Sequence, residues 1–175
     1  NIIRGLFPDT GLGSRRAHFN GSYMECVETV MDDSSYEEYV ARGIEAARQA
    51  AEEGYLITFH MGPKAVLQND LKGKKIIVDD SFSGESIDAD QQQARFEYCL
   101  AMFLILAGEY SYFNYTPTYA ADDNDSWRQW HPEYDKPLGK PNGPAKRDGF
   151  VFTREFEHAT VRLDLTAREG KVDWR

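Results

Sequence analysis

Short apolar runs alternate with longer amphipathic stretches through the first two thirds of the chain. Residues 2–7 form an apolar run that ends in Pro8-Asp9-Thr10-Gly11, and 22–27 (SYMECV) form a second. Both predict strands. Ser35 with Glu38 three residues on makes a capping box, which predicts a helix start. Tyr36, Val40, Ile44, Ala47 and Ala51 then recur at helical spacing, and Gly54 supplies the C-terminal stop. Residues 55–60 (YLITFH) predict another strand, bounded by Gly62-Pro63.

A polar excursion over 64–90 contains one small predicted strand within KKIIVDD. Asp90 can cap a second helix reaching Ala107, in which Phe96, Cys99, Leu100, Phe103, Leu106 and Ala107 make a wide buried stripe. Gly108 stops it, and 110–116 (YSYFNYT) predict the next strand. From Pro117 the periodicity is lost. Residues 117–149 hold five of the seven prolines and two of the three tryptophans, which predicts a long ordered loop. Residues 150–174 alternate apolar and polar positions again, with turns near His158-Ala159 and Glu169-Gly170. They read as two or three antiparallel strands.

Strand, helix, strand, helix, strand with short apolar strands is the pattern of a parallel sheet or barrel. Four strands and two helices do not close a barrel, which takes roughly 200 to 250 residues. The expected fold is therefore α/β: the C-terminal half, strands five to eight, of a (β/α)8 TIM barrel over 1–149, followed by a short antiparallel hairpin region over 150–175. Asn1 leads straight into Ile2-Ile3 without a Met, so the first strand reads as an edge cut from what preceded it.

Charge narrows the function. Lys plus Arg number 20 against 29 Asp plus Glu, a net charge of −9. A nucleic-acid or anionic-membrane binder needs a basic face, so neither is an expected partner. The longest apolar run, 99–107, is far short of the ~20 residues that span a bilayer. Cys26 and Cys99 both lie in apolar stretches and read as buried thiols, with one disulfide as the alternative. Sequons at Asn20, Asn114 and Asn124 are candidate glycosylation sites and point to an extracellular or secretory protein.

Active sites collect at the carboxyl ends of parallel strands. Asp9 follows the first predicted strand, Glu25, with Glu28 one turn on, lies at the end of the second, His60 ends the third, and Asn114 and Tyr115 end the fourth. Glu25 is a carboxylate inside the otherwise apolar Tyr23-Met24-Glu25-Cys26-Val27. Apolar neighbours favour the neutral form of a carboxyl, as a general acid requires, although a buried Glu paired with a core Arg is the plain structural alternative. His60 and Asp9 can equally be structural. Trp127 and Trp130 sit in a loop rich in Asp, Asn and Pro, where flat rings can stack on sugars or simply anchor the loop. Phosphate-loop, serine-hydrolase and metal-ligand spacings are missing, so no cofactor and no metal are expected.

Residues 130–141 (WHPEYDKPLGKP) and 149–157 (GFVFTREFE) resemble the C-terminal part of glycoside hydrolases of the hypothetical glycosyl hydrolase 15 type, which are similar to polygalactosaminidase-like TIM barrels. Asn20 to Glu25 (NGSYME) resembles their sixth-strand motif, and Leu100-Ala101 leading into 110–113 (YSYF) resembles the seventh helix and eighth strand. The resemblance covers essentially the whole chain. It implies hydrolysis of a polysaccharide or oligosaccharide by general acid/base chemistry, with Glu25 as acid/base. The partner carboxylate would end the fourth strand, upstream of Asn1, in a longer chain or as a separate N-terminal half; the resemblance gives Asp9 no such role. His60, Asn114, Tyr115, Trp127, Trp130 and Asp9 would contact the sugar. A non-catalytic glycan-binding or structural protein on a hydrolase-like barrel is the alternative.

Overall fold

The computed structural model describes residues 20–25, 27–30, 32–62, 66–69, 75–78, 89–116 and 130–175. Strand β1 (Gly21–Met24) leads through a loop to helix α1 (Tyr36–Glu52). β2 (Leu56–Met61) follows, then the pair β3 (Val66–Asn69) and β4 (Lys75–Val78), helix α2 (Ala89–Leu106) and β5 (Ser111–Tyr115). A single 3-10 turn (Pro132–Asp135) precedes β6 (Lys146–Asp148), β7 (Val151–Glu155), β8 (Ala159–Asp164) and β9 (Glu169–Trp174).

Local chemistry explains the first helix. The Ser35 hydroxyl accepts from the Glu38 amide, and the Glu38 carboxylate accepts from the Ser35 amide, so the predicted capping box is closed on both sides. At the other end Gly54 takes φ 85°, a left-handed conformation that ends the helix at little steric cost.

β1, β2 and β5 form a parallel sheet in sequential order, with Met24 opposite Phe59, Phe59 opposite Phe113 and Met61 opposite Tyr115. Period-2 alternation sends these side chains to one face. There α1 and α2 pack against the sheet and against each other. Phe103 of α2 stacks on Phe113 at 5.1 Å and meets Phe59 at 6.2 Å. The fold is thus mixed α/β; among the described residues the parallel strands form an open sheet and not a closed barrel.

α2 is apolar nearly all round: Phe96, Tyr98, Cys99, Ala101, Met102, Leu104 and Ile105 are all buried. A helix of that kind needs cover on both sides. The second cover is the antiparallel sheet β6-β7-β8-β9, whose Phe152, Val161 and Leu163 join the same core. This sheet has four strands where the alternation predicts two or three, because β6 lies in the stretch that reads as loop. The pair β3–β4 is likewise antiparallel where one strand is expected. Cys99 is buried, and Cys26 lies outside the described residues.

Candidate functional site at the carboxyl edge of the parallel sheet

The register decides which strand-end side chains meet. His60 lies opposite Asn114, one residue beyond the Phe59–Phe113 pair, so both belong to the face away from the helices. The preceding row on that face is Tyr23, Thr58 and Tyr112. Glu25 directly follows Met24, the last residue of β1, and its charge acts on the imidazole of His60. Carboxylate, imidazole and amide are thereby gathered at one edge, behind a row of two tyrosines and a threonine.

The His60 imidazole is buried and shares a 3.1 Å hydrogen bond between Nε2 and Thr116 Oγ1. The Tyr23 ring stacks on it at 6.1 Å. Burial lowers the His60 pKa below its ordinary value, opposed by the Glu25 charge and the bond to Thr116. At neutral pH the group is therefore an uncharged imidazole, able to accept or donate one proton. Leu56 and Tyr112 on the same face are 43% and 57% exposed. Open aromatic faces beside hydrogen-bonding groups suit sugar rings, which are apolar on their faces and polar at their rims.

Tyr115 takes the other direction. It pairs with Met61 on the helix-covered face, where its ring meets Phe96 at 5.2 Å and His131 at 5.4 Å. Trp130 is 65% exposed, its indole N–H donates to Asp135 at 2.7 Å, and its ring meets Tyr134 edge-on. Tyr134 in turn touches Phe96 and Phe113, which puts this loop on the helix side of β5. Asp9, Trp127 and Asn124 lie outside the described residues. Asn20 is exposed at the start of β1. A glycan on Asn114 would project from the His60 row, so glycosylation there and a role in the site exclude each other.

Beneath this edge lies a buried network that sequence reasoning missed. Glu28 is 2% exposed; its Oε1 accepts the Tyr36 hydroxyl at 2.6 Å and its Oε2 pairs with Arg95. The Tyr36 and Tyr98 hydroxyls are 2.6 Å apart, and burial beside Glu28 pushes both phenol pKa values far up. Arg95 Nε also donates to the carbonyl of Gly62. The buried Glu–Arg pair weighed as the structural alternative for Glu25 is thus found at Glu28. Its sequence signals are Glu28, one turn beyond Glu25, and a lone Arg95 in an apolar helix. Among the described residues, no three His, Cys, Asp or Glu side chains converge as a metal would require.

These features define an α/β protein whose polar groups gather at the carboxyl edge of a parallel sheet, the usual place for ligand binding in such folds. The chain matches the model of hypothetical glycosyl hydrolase family 15 over residues 7–160 and belongs to that family. It is accordingly glycosyl-hydrolase-like, with carbohydrate as the partner class. No curated protein matches it. No helix among the described residues is long and apolar enough to cross a membrane.

Proposed function

We propose that the chain is part of an extracellular glycoside hydrolase that cleaves a polysaccharide, with Glu25 as the general acid. The gathering of Glu25, His60 and Asn114 at the carboxyl edge of the sheet, away from α1 and α2, carries this reading. Glu25 donates its proton to the glycosidic oxygen as the C–O bond breaks, and water completes the cleavage under a second carboxylate. Glu28 is committed to Arg95 and Tyr36 and does not serve as that second carboxylate. His60 and Asn114 hydrogen-bond sugar hydroxyls, and Tyr23 and Tyr112 face the rings. Asp9 and Trp127 are further sugar contacts in this reading, whereas Trp130 lies on the helix side of β5 and is not one. Sequential strand order with both helices on one face supports β1, β2 and β5 as consecutive strands of a (β/α)8 barrel, completed by the first half in a longer chain or a partner chain.

Reducing-end release from a panel of polysaccharides by the full-length protein tests the reading. Glu25→Gln is expected to lower kcat by about 10²- to 10⁴-fold, the range for loss of a general acid, with the fold intact. Wild-type turnover by that variant would sink the assignment. The open tyrosine row also favours a second reading, glycan binding without cleavage. Glycan retention with no reducing ends released by the wild type selects it.

A further inference from the structure

We propose that Arg95 is a positioning residue whose guanidinium clasps the loop after β1 to the loop after β2 and so fixes Glu25 relative to His60. The inference rests on the hydrolase reading above. Glu28 lies three residues beyond Glu25, and Gly62 lies two beyond His60. Arg95 reaches both: Nη2 pairs with Glu28 Oε2 at 2.5 Å, and Nε donates to the Gly62 carbonyl at 3.2 Å. The pair is sheltered, with side chains 11% and 2% exposed, so water screens it little. Tyr36 closes the other carboxylate oxygen and Tyr98 closes Tyr36, which leaves Glu28 a single favourable orientation. The planar fork of Arg suits two acceptors on different loops, whereas the compact ammonium of Lys serves as a point charge. Arg95 touches no reacting atom in this scheme and acts through the two loops alone.

Arg95→Lys in the full-length protein separates positioning from simple support. It keeps the charge beside Glu28 and surrenders the fork. On the polysaccharide that the wild type cleaves, kcat is expected to fall about tenfold or more while KM changes less than about threefold, the pattern of lost transition-state alignment. The His60 imidazole, followed by NMR, is expected to titrate at higher pH than in wild type as the loosened loop admits water. Unchanged kcat and an unchanged His60 titration in the folded variant overturn the inference. If Arg95→Lys does not fold, Tyr36→Phe decides: it removes one bond to Glu28, and kcat and His60 titration both at wild-type values overturn the inference equally. Glu25→Gln run alongside keeps the two proposals apart. Wild-type turnover in Glu25→Gln defeats the hydrolase assignment, and His60 titration still reports on the clasp. An inactive Glu25→Gln beside an Arg95→Lys with wild-type kcat and wild-type His60 titration defeats only the clasp.

Discussion

His60 and His131 are both buried imidazoles, and burial lowers the pKa of each. Glu25 and Thr116 oppose the shift at His60, and Glu133 opposes it at His131. Below about pH 6.5 the unfolded chain therefore binds more protons than the folded one. Stability from these groups is complete above the ordinary imidazole value and is lost as pH falls through it towards the lowered folded values. A thermal midpoint that drops between pH 8 and pH 5 is the expected result, with a shallower drop in His60→Gln. An unchanged slope in that variant would show that His60 is not held neutral by the fold. At this scale the sequence showed which residue types stand at strand ends, but not how they divide. Tyr115 and Asn114 are neighbours in sequence, yet one residue of register puts them on opposite faces. Glu25 and Glu28 are three apart, and only the tertiary positions of Arg95 and Tyr36 show that Glu28 is committed.

Elements were legible where their signals are local. The Ser35–Glu38 box and Gly54 mark α1 at both ends, because capping is a matter of a few neighbouring atoms. The end of α2 is different. Arg154, on β7, places Nη1 2.8 Å from the Leu104 carbonyl and 2.6 Å from that of Ala107. These carbonyls have no partner within the helix, and a cation at the C-terminus also complements the helix dipole. Gly108 predicts where the helix stops, but the group that satisfies its end is nearly fifty residues away. Arg154→Met should cost about 1–3 kcal/mol in denaturant unfolding, the penalty for leaving buried acceptors unmet. A cost near zero would mean that water caps the helix instead. β6 escaped the sequence reading for a related reason: Lys146-Arg147-Asp148 carry no apolar alternation, and β7 alone draws them into the sheet.

At the scale of the molecule, the described residues form three layers that share one core: the parallel sheet, α1 with α2, and the antiparallel sheet against α2. At Gly170 of β9 the last two layers approach closely. A Cβ there would lie 2.5 Å from Tyr98 Cα and 2.7 Å from the Glu97 carbonyl oxygen. Gly170→Ala must therefore push β9 away from α2, and a loss of about 1–3 kcal/mol is expected from calorimetry or denaturant melts, as for other overpacked contacts. Tyr98 also belongs to the Glu28 network, so the same variant should slow glycan cleavage if Arg95 acts through that network. The sequence by itself determined the α/β character, the order of the main strands and helices, the ends of α1 and the family, because periodicity, capping and motif are written in neighbouring residues. Tertiary structure alone decided the strand register, the all-round burial of α2 between two sheets, and the pairing of Glu28 with Arg95. Each of these joins residues far apart in the chain, and only packing brings them within reach of a hydrogen bond.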